Sequence, residues 1–244
     1  MISKAKAKYI KSLQVKKYRI QEQRFLVEGE KSVAELLRSS FSVDSIVATG
    51  TVLDRMKLPN VEIIEAKESE LAALGSFQTN DSILAIARMR PNQQLALDST
   101  EFGLMLDDIR DPGNLGTIIR TGDWYGIKKI IASRETADFY NSKTISATMG
   151  SFCRVEVFYT DLAAYLQNHP APALGTFLKG QSVHGFSFGK SGWIVIGNES
   201  NGISSDVEKF VTTQITIPGY GRAESLNAGV ATAVVLDNLR RSQE

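Results

Sequence analysis

The chain has 244 residues, of which 43% are hydrophobic and 23% charged, and this ordinary balance excludes a disordered or fibrous protein. Its length allows one or two domains with a substantial core. The basic N-terminus lacks the apolar core of a secretory signal, and no apolar run approaches the roughly 20 residues of a membrane helix, so we expect a cytoplasmic protein.

Cysteine and histidine are too scarce to suggest a metal centre. The single cysteine, Cys153, excludes an internal disulfide. The two histidines, His169 and His184, have no second ligand at metal-binding spacing. We therefore expect no metal ion.

The net charge of +1 is unevenly distributed. Residues 1–24 hold eight Lys or Arg and one Glu, a local charge of +7, which leaves −6 for the other 220 residues. Phosphate is the natural partner of such a basic arm. The aromatic residue within Lys16-Lys17-Tyr18-Arg19 favours RNA, although a solvated helix face is the simpler alternative.

The first ninety residues alternate between helical and extended patterns. Apolar residues between Lys4 and Gln23 fall loosely on helical spacing and predict one or two amphipathic helical turns. The order strand, helix, strand, strand, helix, strand is then predicted for residues 25–27, 30–37, 45–48, 61–64, 69–74 and 83–87. This order indicates a small α/β domain.

A linker is predicted at residues 89–100, which contain proline and several polar residues without periodicity. We place the boundary near residue 95, so that the domains are 1–94 and 95–244. In the second, buried strands are predicted at 103–106, 129–132, 155–159, 174–177, 193–196 and 214–217. Apolar strands that alternate with helices are typical of a parallel sheet covered on both faces, which binds ligands at the carboxyl ends of its strands.

The first of three polar loops follows the strand at 103–106. It turns at Pro112-Gly113, and we expect Asn114 to cap the next helix. Arg120 lies among apolar residues, so partial burial of its charge is expected. In the simpler alternative, Asn114 is only a cap and Asp107 or Asp108 only pairs with Arg110. The loop has neither the Gly-Lys-Ser/Thr of a P-loop nor GxGxxG.

The second polar loop follows the strand at 193–196. Gly197 and Gly202 lie on either side of Glu199, and glycines let the backbone approach a ligand closely. Asn201-Gly202 alone would be an ordinary turn.

The third polar loop follows the strand at 214–217 and turns at Pro218-Gly219. It presents Glu224, Ser225 and Asn227 before a helix rich in Ala and Gly. A tight core would explain the small residues of that helix, but it would not explain the polar side chains.

Together the three loops resemble the three sequence motifs of the SpoU/TrmH family of RNA ribose 2′-O-methyltransferases, in the SPOUT class. The matching stretches are residues 114–123, then 196–199 with 202–204, then 217–218 with 225–227, in the family's order and spacing. The first domain is similar to the family's substrate-binding domain, which resembles ribosomal-protein RNA-binding folds, through residues 17–19 and 24–29.

The resemblance implies a parallel-sheet α/β domain with a deep trefoil knot, preceded by a small α/β RNA-binding domain. It implies S-adenosylmethionine as cofactor and a homodimer formed through the knotted domain. By position, the cofactor contacts would come from Thr176, Gly197, Asn198, Ile217 and Leu226.

The implied reaction is methyl transfer from S-adenosylmethionine to a ribose 2′-hydroxyl of ribosomal or transfer RNA. The catalytic set carried over by position is Asn114, Arg120, Glu199, Ser225 and Asn227. Arg120 matches the family's catalytic arginine, and because a guanidinium is a poor base we assign it to the developing alkoxide. Asn114 and Asn227 would orient Arg120 and the ribose, Glu199 would fix Arg120 or its loop, and Ser225 would hydrogen-bond nearby. The RNA-binding residues we assign are Lys16, Lys17, Arg19 and Arg24.

Two other functions compete with this hypothesis. A catalytically silent RNA-binding or ribosome-associated protein could keep the fold, although the complete set of motif residues argues against decay. A small-molecule or nucleotide enzyme on an ordinary doubly wound sheet is the third candidate, and the missing phosphate fingerprint counts against it.

Overall fold

The structure, a computed structural model, describes residues 2–76 and 82–244. The chain forms two compact units, one made of residues up to 91 together with 138–153, the other of 92–137 and 154–244. The chain therefore leaves the second unit after Ala137 and returns to it at Arg154. No helix among the described residues is both long and apolar enough to cross a bilayer.

The described residues form ten strands and ten α-helices. The strands are β1 Arg24–Glu28, β2 Val43–Ala48, β3 Glu62–Glu65, β4 Ile83–Arg88, β5 Phe102–Leu106, β6 Lys129–Ala132, β7 Glu156–Tyr159, β8 Ala173–Ser182, β9 Gly192–Ile196 and β10 Thr213–Thr216. The α-helices are α1 Lys4–Ser12, α2 Lys16–Glu22, α3 Glu30–Leu37, α4 Gly50–Arg55, α5 Glu68–Leu74, α6 Pro112–Trp124, α7 Ser142–Thr148, α8 Leu162–Asn168, α9 Ser205–Glu208 and α10 Ala228–Arg241. Each predicted strand is present within two residues of its expected bounds, except that β8 continues five residues further.

The first unit is built on a four-stranded mixed sheet in the order β1-β4-β2-β3. Strand β4 is antiparallel to both of its neighbours, and β2 is parallel to β3. Residues 138–153 add α7 and a short 3-10 helix to this unit. The ring of Phe25 on β1 lies 4.7 Å from that of Tyr140 and 6.2 Å from that of Phe152, centroid to centroid. Aromatic packing thus holds a segment distant in sequence against β1.

The second unit contains the predicted parallel sheet. Its six strands run in the order β10-β8-β9-β5-β6-β7, and all neighbouring pairs are parallel. The two central strands β5 and β9 are buried along their whole length, as their apolar sequences predict. Because β9, β8 and β10 are adjacent and parallel, their carboxyl ends lie side by side at the same end of the sheet.

The pairing of the long strand β8 with β10 is interrupted in the middle of β8. Its residues 174 and 175 pair with 213 and 214 of β10, whereas 181 and 182 pair with 215 and 216. Residues 176–180 therefore project from the ladder, and Thr216 ties them down by donating its hydroxyl to the Leu178 carbonyl (3.2 Å). This segment forms one wall of a cavity at the carboxyl ends of the strands.

Helix α6 begins one turn earlier than predicted. Asp111, not Asn114, is its N-cap, and the Asp111 carboxylate accepts a hydrogen bond from the Asn114 backbone N–H (2.9 Å). Pro112 then occupies the first turn, where a missing N–H carries no penalty. The Asn114 side chain is thereby free for another partner.

Helix α10 packs closely on α6, as its small residues predict. A Cβ added to Gly229 would lie 2.9 Å from Thr117 Cγ2, closer than real side chains approach. We expect Gly229→Ala to lower the free energy of unfolding by about 1 kcal/mol, because the clash exceeds the gain in helix propensity. Denaturant unfolding measures this change.

Two variants make that test specific. Thr117→Ser removes the contacting methyl group, so the cost of Gly229→Ala should shrink in that background. Gly219→Ala serves as the control, since a Cβ at Gly219 meets nothing within 4 Å. Equal costs of Gly229→Ala in both backgrounds would show that close packing on Thr117 is not the reason for the glycine.

Candidate functional site

A cavity of about 930 Å³ lies where β8, β9 and β10 end. Its walls are the projecting segment of β8, the whole loop after β9 and the loop between β10 and α10. The five residues assigned to the cofactor all line it: Thr176, Gly197, Asn198, Ile217 and Leu226. The parallel topology thus brings together residues that lie up to 50 positions apart in sequence.

The loop after β9 closes on itself. The backbones of Asn198 and Gly202 exchange both hydrogen bonds (3.0 and 2.9 Å), and the Asn198 side-chain oxygen accepts from the backbone N–H of Ser200 and Asn201. A Cβ on Gly197 would lie 2.3 Å from the Gly202 carbonyl carbon. A glycine is therefore needed at position 197 because the backbone of the same loop packs against it. The sequence had suggested the close approach of a ligand as the reason.

Two aspartates after β5 fix this loop from outside. The buried Asp107 carboxylate accepts a hydrogen bond from the backbone N–H of Ser204 (2.7 Å). The Asn198 amide donates to the Asp108 carbonyl (2.8 Å). Asp108 also pairs with Arg110 (2.7 Å), as the simpler alternative predicts. Asp107 instead holds the loop after β9 through its hydrogen bond from Ser204. The position of these carboxylates directly after a buried strand is the sequence signal that could have predicted this role.

A polar network joins all three loops through the side chains of Asn227, Asn114 and Glu199. The Asn227 amide N donates to the Asn114 amide O (2.9 Å), and the Asn114 amide N donates to a Glu199 carboxylate oxygen (2.6 Å). Asn227 is also the N-cap of α10, because its amide O accepts from the backbone N–H of Gly229 (3.0 Å).

The helix cap fixes the direction of every bond in this polar network. Since the Asn227 oxygen faces the N–H groups of α10, only its NH₂ group can reach Asn114. The Asn114 oxygen is then the acceptor, and its NH₂ group must meet an acceptor, which Glu199 provides. Glu199 also lines the cavity, so the polar network meets the cavity wall through this residue.

The two remaining predicted catalytic residues stand apart from the polar network. Arg120 lies on α6 and is exposed, not partly buried as expected, and it has no hydrogen bond or ion pair within residues 2–76 and 82–244. It does not line the cavity. Ser225 is exposed on the cavity wall, and its hydroxyl has no protein partner in the described part of the chain. Contacts from Asn114, Asn227 or Glu199 to Arg120 are therefore absent among the described residues.

Of the four residues assigned to RNA, Lys16 and Lys17 on α2 are exposed. The assignment of Arg19 is wrong, because its side chain is buried and bound. Its guanidinium donates to the carbonyls of Leu13 (3.0 Å) and Gln14 (2.7 Å) and pairs with Asp138 (2.7 Å). The Arg19 guanidinium is thus shielded from solvent and engaged within the first unit.

Arg24 is also engaged within the first unit. It pairs with Asp44, which a second arginine, Arg88, contacts at 2.8 Å. Desolvation acts to raise the pKa of the Asp44 carboxyl, but hydrogen bonds from Arg88 and Arg24 outweigh it and hold this pKa below its ordinary value. The Arg24 guanidinium is therefore already engaged by a carboxylate of the first unit.

Comparison with known protein families places both halves of the chain. The model of the SpoU rRNA Methylase family matches residues 101–237, and that of the MRM3-like substrate binding domain matches residues 4–85. No group of three or more His, Cys, Asp or Glu that could hold a metal ion occurs among the described residues.

Similar proteins cover nearly the whole chain. The 23S rRNA (guanosine(2553)-2′-O)-methyltransferase RlmP of Bacillus subtilis is 32% identical over 96% of this chain and 96% of its own. A putative RNA methyltransferase of the TrmH family from Porphyromonas gingivalis superposes with a TM-score of 0.88 at 33% identity, over 99% of both chains. An AdoMet-bound rRNA methyltransferase from Sinorhizobium meliloti superposes with a TM-score of 0.86 at 29% identity, over 99% of this chain and 96% of the other.

Proposed function

The chain belongs to the SpoU rRNA methylase family and is an S-adenosylmethionine-dependent RNA 2′-O-methyltransferase, and we propose that its substrate is a ribose in ribosomal RNA. The observation that supports the substrate is the full-length similarity to RlmP, whose name specifies 23S rRNA.

The cavity at the ends of β8, β9 and β10 has the chemistry that S-adenosylmethionine needs. Its volume of about 930 Å³ falls in the range of small-molecule sites, and its wall combines apolar side chains such as Ile217 and Leu226 with glycines and polar residues of the loops. Carboxylates on the wall suit a cationic ligand, whereas a phosphate-bearing cofactor would need donors in their place. We therefore assign this cavity to S-adenosylmethionine.

In the proposed mechanism the protein orients two substrates, and the proton of the ribose 2′-hydroxyl passes to solvent water as the methyl group is transferred. S-adenosylmethionine, when bound, supplies a methyl group activated by the adjoining sulfonium. The cavity loops would hold the cofactor, and the polar network would fix the loop that carries Glu199 at the cavity wall. Positioning of this kind contributes several kcal/mol to catalysis.

Arg120 is the proposed electrostatic catalyst. It is an exposed guanidinium with no protein partner in the described part of the chain, so its donors are available to a nucleotide. It would stabilise negative charge developing on the ribose 2′-oxygen, aided by an RNA phosphate. Ser225, with a free hydroxyl on the cavity wall, would hydrogen-bond the ribose or the cofactor.

Methyl transfer to ribosomal RNA tests the function directly. Purified protein with methyl-labelled S-adenosylmethionine should label ribosomal RNA from cells that lack the protein, and RNA from normal cells should accept little label. Mapping of 2′-O-methyl positions in the two RNAs should show one site lost. If calorimetry shows no S-adenosylmethionine binding and no RNA is labelled, the catalytically silent alternative replaces this proposal.

The first unit is the proposed RNA-binding domain, and Lys16 and Lys17 are its proposed phosphate contacts. Replacing each lysine with alanine should lower the slope of log affinity against log salt by about 1 and weaken binding to all RNA sequences alike. Fluorescence anisotropy at several salt concentrations measures both effects. Lys209→Ala, which removes a lysine paired with Asp206, is the matched control. An unchanged slope in the Lys16 and Lys17 variants would show that α2 does not contact RNA.

We also propose a homodimer formed through the second unit. Trp124, at the end of α6, is 84% exposed, and Val230, on α10, is 49% exposed. Large exposed apolar side chains on two helices that pack on each other are typical of a subunit interface.

A further inference from the structure

We propose that the cavity uses its negative charge to prefer the cationic cofactor S-adenosylmethionine over the reaction product S-adenosylhomocysteine, so that Glu208 and Glu224 favour replacement of the product by fresh cofactor. This inference rests on the proposed function, because it assigns a purpose to two residues of the cofactor cavity.

The lining of the cavity is acidic. Its charged residues are three glutamates and one lysine: Glu199, Glu208, Glu224 and Lys179. The lining therefore carries a formal charge of −2 in a protein whose total charge is +1. Loss of the methyl group removes the sulfonium, which lowers the cofactor's net charge from +1 to 0.

The Glu224 carboxylate lines the cavity and is not engaged by any described residue. It is exposed on the loop between β10 and α10, and no hydrogen bond or ion pair engages its carboxylate within residues 2–76 and 82–244. Its neighbour Ser225 faces the same cavity. A carboxylate at this position acts on whatever charge occupies the cavity.

Glu208 approaches the cavity from another element. It is the last residue of α9, and its carboxylate accepts a hydrogen bond from the Gln214 amide (3.2 Å), a further residue of the lining. A neutral donor holds the carboxylate in place without neutralising its charge. The Glu199 carboxylate, by contrast, already belongs to the polar network.

The expected size of the effect follows from Coulomb attraction. Unit charges about 8 Å apart in water-like surroundings change an equilibrium constant by about twofold. Glu208 and Glu224 together should thus contribute about a fourfold preference for S-adenosylmethionine. The preference should weaken in high salt, because both side chains are solvent-accessible.

Calorimetry on the full-length protein tests the proposal with three probes: S-adenosylmethionine, S-adenosylhomocysteine, and sinefungin, whose protonated amine replaces the sulfonium. The wild-type protein should bind the two cationic probes at least about fourfold more tightly than S-adenosylhomocysteine. In Glu208→Gln/Glu224→Gln this ratio should fall about fourfold, mainly through weaker binding of the cations. Inhibition by S-adenosylhomocysteine should become correspondingly stronger.

Glu156→Gln provides the matched control, since it makes the same charge change on β7, at the opposite edge of the sheet from β10. It should leave the ratio unchanged, and thermal unfolding without ligand should be alike in all variants. Equal ratios in the wild type and the double variant would overturn this inference and leave the proposed function intact. Failure of all three probes to bind the wild type would overturn the proposed function and this inference with it.

Discussion

Replacement of Arg120 with alanine should lower the rate of methyl transfer by about 10²–10³-fold, the typical cost of removing a group that stabilises developing negative charge. The affinity for S-adenosylmethionine should stay within about twofold, because Arg120 does not line the cavity. The melting temperature should also stay constant, because the side chain is exposed and engages no described residue. Single-turnover transfer, calorimetry and thermal unfolding give the three values.

Two further variants show whether the guanidinium itself matters. Arg110→Ala removes an exposed arginine that lies just ahead of the same helix and pairs with Asp108, and it should slow transfer far less. Arg120→Lys keeps the charge but loses the planar fork of donors, so it should recover only part of the rate. Should cofactor affinity and melting temperature fall together with the rate in Arg120→Ala, Arg120 is a structural residue and its assignment as a catalyst fails.

The strands could be predicted because they depend on local patterns, whereas the proposed cofactor residues were carried over from the family resemblance. Apolar runs of about four to six residues mark the buried strands, and in a parallel sheet the polar residue that follows each strand lies at the carboxyl edge. Gly197 and Asn198 directly follow β9, Ile217 directly follows β10, and all three line the cavity. The sequence did not predict the projecting segment of β8, since no local signal marks a strand that leaves its ladder.

Interactions between distant residues account for most of the errors. Arg19 was assigned to RNA because its neighbours are basic, but its partner Asp138 lies 119 residues away and belongs to the segment that joins the first unit. Hydrophobic periodicity carries no information about such a partner. The exposure of Arg120 has a local cause instead: Ile118 and Ile119 face the core, and the turn of helix α6 places the next residue, Arg120, at the surface.

The cap of α6 is an error that the sequence could have avoided. Both Asp111 and Asn114 are good N-cap residues, and Pro112 distinguishes them, because proline is favoured immediately after the cap. Placing the cap at Asp111 leaves the Asn114 side chain unassigned, and the structure shows its place in the polar network. The consequence is functional, since Asn114 connects the loops that carry Glu199 and Asn227.

The second large effect is expected for Asn114→Asp, which changes one NH₂ group to an oxygen and keeps the shape. The new carboxylate can still accept from Asn227, but it faces the Glu199 carboxylate across what was a 2.6 Å hydrogen bond. Loss of a donor to a charged acceptor costs about 1.5–3 kcal/mol, and repulsion adds to it. Methyl transfer at about pH 8 should fall by about 100-fold, measured with saturating cofactor and RNA.

The sign of the pH dependence distinguishes this cause from a general disruption. Two adjacent carboxylates raise the pKa of one of them above its ordinary value, so a proton returns to the pair as the pH falls. That proton restores a donor between positions 114 and 199. Asn114→Asp should therefore regain activity relative to the wild type as the pH is lowered from about 8 towards about 5.5.

The double variant Asn114→Asp/Glu199→Gln exchanges the donor and the acceptor. The new amide at position 199 would donate its NH₂ group to the new carboxylate at position 114, whose second oxygen still accepts from Asn227. The polar network then has all of its hydrogen bonds again, and like the wild-type network it contains a single carboxylate. We expect this variant to recover at least about tenfold of the lost rate at about pH 8 and to lose the abnormal pH dependence. If instead the two substitutions add, with activity lower than in either single variant, Glu199 acts on the substrates through its own charge and the polar network only positions it.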